Sequence, residues 1–258
     1  MPHANIDNSL SLFYQIKGEG MPIVFIHPFV MGHNVFKHQE RLAEKYQTIF
    51  YDLAGHGRST KGNQPLSIEL LAEHLKELLN HINVKKVALC GYSYGGLVAQ
   101  QFALKYPERT TALILSGGFS EINTLIPKIF IKSVMAMAKH RKMTLAAKLL
   151  AKFNSATSQD EKEIFQYARL SDAQRSYEYC IAGLHYKATD AMHQLNMPIL
   201  LVYGSLEKPM HRYRIPFLQA APQTQVVMIN NGTHQLPPRS FLEFNCVIDQ
   251  FLRTGGEH

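Results

Sequence analysis

Cysteine is scarce in this chain: Cys90, Cys180 and Cys246 are the three in 258 residues. An odd number at wide spacing gives no disulfide framework. Each lies in an apolar pattern of the kind that holds buried thiols, so a reducing cytoplasm is the expected setting. Neither Cys-x-x-Cys nor His-Glu-x-x-His spacing occurs, and no metal or other cofactor is expected. No apolar run approaches the length needed to cross a bilayer, so stable membrane insertion is not expected. Residues 1–20 are polar, without a basic stretch leading into an apolar one, so no signal peptide is expected. Gly57-Arg58-Ser59-Thr60-Lys61-Gly62 starts like a phosphate-binding loop but continues with Asn63 where Lys is required, which removes that reading.

Acidic residues are missing from one long stretch. Between Glu121 and Asp160 there is none, while Lys128, Lys132, Lys139, Arg141, Lys142, Lys148 and Lys152 supply seven positive charges. The net charge of +7 is therefore local, because the other twenty basic residues match twenty acidic ones. Apolar residues, Phe130 and Met135 among them, interleave with the lysines, as in amphipathic helices that turn an apolar face inward and charge outward. A solvated basic face is the first reading of this segment, and attraction of anionic substrates or of a membrane surface the second. No recognition motif accompanies the charge, so nucleic acid is not an expected partner. Oligomeric state leaves no mark in the sequence.

What is present is enough for a full core. With 46% apolar residues, a single large domain, or one carrying an insertion, is expected. Short apolar runs at residues 9–17, 22–27, 48–52, 86–90, 111–116, 198–203 and 225–229 read as strands. Helical spacing fills 36–45, 66–82 with Ser67 as a cap, the stretch up to Tyr106, part of 208–221, and 241–253. This alternation predicts an α/β architecture, a mostly parallel sheet covered on both faces. It breaks after Gly118: residues 119–190 show helical patterns and no strand, with capping boxes expected at 158–161 and 171–174. The expected division is a core of 1–118 and 191–258 with a helical insertion at 119–190.

Four motifs carry chemistry. Gly91-Tyr92-Ser93-Tyr94-Gly95 follows an apolar strand and opens a helix, the pattern of a nucleophile elbow that exposes Ser93 at a sharp turn. The N–H of Tyr94 would then point from the helix start at an oxyanion. His27-Pro28-Phe29 ends an earlier strand, Asp52-Leu53-Ala54-Gly55-His56-Gly57-Arg58-Ser59 another, and Asn231-Gly232-Thr233-His234 follows the last.

In this order and spacing the four motifs resemble the α/β-hydrolase fold superfamily over nearly the whole chain, specifically its capped serine hydrolases. The resemblance implies an eight-stranded, mostly parallel sheet with a helical cap inserted after the sixth strand. It implies a catalytic triad of Ser93 as nucleophile, His234 as general base and an acid after the seventh strand, where Glu207 stands in place of the usual Asp. Glu121, after the sixth strand, is a second candidate for that acid. Pro28 occupies the place of the usual Gly and has no N–H, so the second oxyanion donor would be the N–H of Phe29, beside that of Tyr94. Phe29, Tyr94, Phe130 and Met135 would line the substrate chamber. Asp52, His56 and Arg58 would form a structural turn, and His27 a partner that fixes loops. The implied activity is hydrolysis of an ester of a small or medium apolar acid through an acyl-enzyme on Ser93. Lactone hydrolysis, as of acyl-homoserine lactones, carbon–carbon bond hydrolysis and related lyase chemistry use comparable triads. A ligand-binding signalling protein with slow or single-turnover hydrolysis is the alternative of another class.

Overall fold

The apolar run before Ser93 becomes a strand whose six residues, Val87–Tyr92, are all buried, as a parallel strand covered on both faces must be. It lies near the middle of an eight-stranded sheet in a computed structural model that describes residues 2–255. The strands are β1 (His3–Asn5), β2 (Ser11–Lys17), β3 (Pro22–Ile26), β4 (Gln47–Tyr51), β5 (Val87–Tyr92), β6 (Thr110–Ser116), β7 (Ile199–Gly204) and β8 (Thr224–Ile229). They lie in the order β1-β2-β4-β3-β5-β6-β7-β8. β1 and β2 pair antiparallel at one edge, and every pairing from β4 to β8 is parallel. β1 was not among the expected strands: three residues, of which Ala4 alone is buried, leave no periodicity to read.

Helices α1 (Ile68–His81) and α2 (Gly95–Lys105) follow β4 and β5. Between β6 and β7 come α3 (Leu125–Lys139), α4 (Met143–Phe153), α5 (Ser158–Ala168) and α6 (Ala173–His185), and then α7 (Arg214–Ala220), α8 (Leu236–Arg239) and α9 (Phe241–Arg253) complete the chain. Side-chain alternation divides the core between the two faces of the sheet. On β3, Val24 and Ile26 pack with α1 and α2 residues such as Leu75 and Phe102, while Ile23 and Phe25 pack with Phe36, Phe244 and Ile248 on the other side. β7 sorts the same way, with Leu201 and Tyr203 on the first face and Leu200 and Val202 on the second.

Several local expectations need correction. The segment after β3 is a 3-10 run over His33–Glu44 rather than an α-helix. The helix expected within 208–221 is present as α7, preceded by a 3-10 turn over Lys208–Tyr213. Ser67 caps α1 as expected, its hydroxyl accepting the Leu70 N–H at 3.1 Å. The capping box of α5, however, is Thr157 with Asp160, because Thr157 holds the extended conformation and Ser158 is already helical. At α6 the cap is Asp172, which accepts from the Arg175 N–H. Cys90 and Cys180 are buried, but Cys246 is on the exposed side of α9. Among the described residues no helix is long and apolar enough to cross a membrane, and no cluster of three or more His, Cys, Asp or Glu side chains could hold a metal.

Candidate active site

The parallel strands all point their C-terminal ends to one side, so the loops after β3, β5, β7 and β8 meet there. The loop after β5 is the sharpest. Ser93 sits at φ 51°, a left-handed conformation that an ordinary residue holds only when its surroundings over-determine it. A Cβ on Gly95 would come within 2.0 Å of the Ile26 carbonyl oxygen, and one on Gly91 within 2.6 Å of the Gly96 Cα. Glycine is thus required at both places for the turn to close. The Ser93 N–H donates to the Ser116 carbonyl at 2.8 Å, which ties the turn to β6.

His234, from the loop after β8, brings its Nε2 to 2.8 Å from Ser93 Oγ. Its Nδ1 lies against the Glu207 carboxylate, which comes from the loop after β7. With Nδ1 protonated toward that carboxylate, Nε2 is free to accept from the serine hydroxyl. The Glu207 side chain is 5% exposed and that of His234 28%, so the carboxylate is shielded while water can reach the imidazole. Glu207 also raises the pKa of its neighbours: the phenols of Tyr92 and Tyr203 are pushed up by burial first and by its charge second. The other carboxylate considered, that of Glu121, accepts from the Asn123 amide and lies outside this cluster, while the Glu121 backbone pairs with Lys187 in an isolated antiparallel bridge.

Phe29 and Tyr94 line the same cavity as Ser93, their rings edge to face at 4.9 Å. Neither backbone N–H is taken by a protein acceptor among the described residues, so both remain able to donate. Val30, next to Phe29, has φ 72°, a strained value for a β-branched residue. Its carbonyl accepts from the Ser171 hydroxyl at 2.9 Å, a tie from the segment between α5 and α6 that fixes the turn.

Behind this loop lies a buried polar network. His27 accepts the Leu53 N–H on Nε2 and donates from Nδ1 to the Pro28 carbonyl, which joins the β3 loop to the β4 loop. Burial lowers its pKa to about 4, against the pull of Asp52, and lowers that of His56 to about 3. Both rings are neutral near pH 7. Burial opposes ionisation of Asp52, but hydrogen bonds and charge from His33 outweigh it and hold the carboxyl below its usual range. Asp52 also accepts the Arg58 N–H. These groups shape the loops and do not line the cavity.

The cavity above Ser93 has a volume of about 350 Å³. Its floor is Ser93, His234 and Glu207, and its walls include Phe29, Phe119, Phe130, Ile131, Leu150 and Phe153. Met135, expected here, is elsewhere: one turn beyond Ile131 on α3, it packs against the core. Two residues not singled out from the sequence take part. Asn154, at the end of α4, accepts from the Tyr92 hydroxyl at 2.7 Å, and its amide donates to Leu150. Tyr92 lies in the elbow motif and could have been noticed there. Asn154 carries no local signal, because its partner is sixty-two positions away.

The family model described as alpha/beta hydrolase fold matches residues 21–237. A dihydrolipoyllysine-residue acetyltransferase component of the acetoin cleaving system of Pseudomonas putida is 28% identical over 97% of this chain and 68% of its own length. A pimeloyl-[acyl-carrier protein] methyl ester esterase of Aliivibrio fischeri is 29% identical over 76% of this chain and 79% of its own. The chain spans about half, 49%, of a further curated relative. Among solved structures, the enol-lactonase of Burkholderia xenovorans superposes with a TM-score of 0.84 at 19% identity, covering 98% of this chain and 100% of that one.

Proposed function

The chain belongs to the alpha/beta hydrolase fold family, and from that premise we propose that it hydrolyses a carboxylic ester of a small or medium apolar acid through an acyl-enzyme on Ser93. The observation that carries this reading is the continuous relay from the Glu207 carboxylate through His234 to Ser93 Oγ at the floor of an apolar cavity. A methyl ester esterase among the relatives supports ester chemistry.

His234 Nε2 takes the hydroxyl proton as Ser93 Oγ attacks the ester carbonyl, and the oxyanion accepts from the Phe29 and Tyr94 N–H groups. The tetrahedral intermediate collapses as His234 gives that proton to the leaving alcohol, which leaves the acyl group on Ser93. Water enters, loses a proton to Nε2 and attacks the acyl carbonyl; collapse returns the proton to Ser93 and frees the acid. Glu207 holds the Nδ1–H and stabilises the imidazolium in both halves. Helices α3 to α6, in residues 119–190, act as the cap over a core of 1–118 and 191–258. Phe130 and Phe153 wall the acyl group. A cavity of about 350 Å³ lies near the small end of ligand sites, which favours short and medium chains.

Lactone hydrolysis is the second reading, supported by the fold likeness to an enol-lactonase. A rate profile over aryl esters of increasing acyl length, beside a lactone panel, separates the two, with Ser93→Ala as the blank. The expected result is multiple turnover on short and medium esters, lost by about 10⁴-fold or more in the blank. Hydrolysis unchanged in Ser93→Ala would remove the assignment. A single burst with retained product would indicate a ligand-capturing protein instead.

A further inference from the structure

The outer surface of α3 and α4 is unusual in carrying large apolar side chains and cations side by side. On α3, Leu125 and Ile129 are exposed at a spacing of four, and Ile126 and Phe130 lead from them into the cavity. On α4, Leu145, Leu149 and Phe153 repeat at the same spacing, and Phe153 lines the same cavity. These seven side chains are between 42% and 71% exposed. Residues four apart lie on one helix face, so each helix bears an apolar stripe that ends at the cavity mouth. Beside each stripe runs a second one of lysine, with Lys128, Lys132 and Lys139 on α3 and Lys148 and Lys152 on α4. Arg141 and Lys142 join the two in the connecting turn. None of these seven cations forms an ion pair among the described residues, whereas Lys37, Lys45, Lys76 and Lys105 elsewhere do.

We propose that this rim seats the protein reversibly on an anionic lipid surface, with the cavity mouth facing the acyl chains. Two features favour that occupant over a protein. Stable protein interfaces are enriched in arginine and aromatic anchors and poor in lysine, and six of these seven cations are lysine. A symmetric pair of copies meeting here would bring two sets of seven cations together with no acid from residues 122 to 159 to offset them. A membrane surface asks for no matched geometry: flexible lysines reach the headgroup plane while the leucine, isoleucine and phenylalanine side chains enter the acyl boundary. With no spanning helix among the described residues, such binding is peripheral and salt-sensitive.

The test is sedimentation with vesicles of phosphatidylcholine alone and of phosphatidylcholine with roughly one third phosphatidylglycerol, at low and moderate salt. It is run on the Ser93→Ala protein as well, so that the outcome is independent of the hydrolytic reading. Binding to the anionic vesicles should exceed that to the neutral ones by about tenfold or more and should weaken as salt rises. The pair Lys132→Glu and Lys148→Glu should lower it by about tenfold or more, while Lys132→Arg with Lys148→Arg keeps it. Leu145→Ser with Leu149→Ser should lower it without changing salt dependence. None of these four positions lines the cavity, so hydrolysis of a short soluble ester should be unaffected, and an unchanged melt establishes that the variants are folded. Equal binding to both vesicle types, or charge reversal without effect, would overturn the proposal. So would self-association that the reversals abolish in the absence of vesicle binding.

Discussion

The floor of the cavity and its roof are built in opposite ways. Beneath the substrate space, side chains are fixed by close approach and by buried hydrogen bonds: Ser93 between two glycines that cannot take a Cβ, His27 and His56 neutral inside the loops, Asp52 accepting from His33 and Arg58. Above it, α3 and α4 contribute mostly apolar side chains, several of them exposed. Polar ties to the loops below come from the end of α4, the segment before α6 and α6 itself, among them Asn154 to Tyr92, Ser171 to Val30, Tyr179 to Tyr94 and Ala54, and Arg175 to the carbonyls of Lys61, Gly62 and Gln64. The contrast separates two tasks. Positioning a proton relay requires geometry held to a fraction of an ångström, and the floor has the networks to do this. Selecting and admitting a substrate requires shape and apolar surface, which the cavity walls from α3 and α4 offer.

The largest expected effect falls on the floor. Glu207→Gln removes the charge behind His234 and should lower turnover by about 10³-fold or more, with the thermal midpoint little changed. Glu121→Gln, at the carboxylate held by Asn123, should leave turnover within a factor of two of the parent by the same ester assay. Comparable losses in both variants would erase the distinction between the two acids.

Next in size is the response of the floor to acid. The unfolded chain protonates His27 and His56 near the ordinary value of 6.5, and the folded chain only near 4 and 3. Between these values the unfolded state binds more protons, so stability falls as pH falls. The limit is roughly 3 kcal/mol for His27 alone. Asp52, whose carboxyl is held below its usual range, adds a loss of the same sign at lower pH. Thermal melts from pH 7 down to 4 should show a steadily falling midpoint, and a flat profile would mean that these rings are not held neutral.

The smallest effect is expected on the roof. Asn154→Leu leaves the buried Tyr92 hydroxyl without its partner, which should cost about 1–3 kcal/mol of stability. Because the relay is untouched, KM should rise severalfold with kcat nearly kept. A loss confined to kcat would show that roof and floor are not separable.

This division also governs what could be read from the sequence. The strands flanking the site were legible because buried parallel strands form uninterrupted apolar runs, as in Val87–Tyr92 and Ile199–Gly204. The order of Ser93, Glu207 and His234 followed from short motifs at strand ends, and their side chains meet at one place in the fold. The roof was read less well. Helical spacing is readable across α3 to α6, but which turn of α3 faces the cavity depends on its packing against α6, so Phe130 falls in the wall and Met135 does not. Ties such as Ser171 to Val30 join residues 141 positions apart, and no local pattern announces them. The capping residues differ from the expected ones because Thr157 and Asp172 hold the extended conformation that a cap requires.

The most direct test of the central reading is covalent labelling with a fluorophosphonate, followed by intact mass and peptide mapping. One adduct per chain, on Ser93, absent in Ser93→Ala and formed far more slowly in His234→Ala, is the predicted result. No adduct, or one on another residue at an unchanged rate in both variants, would contradict it.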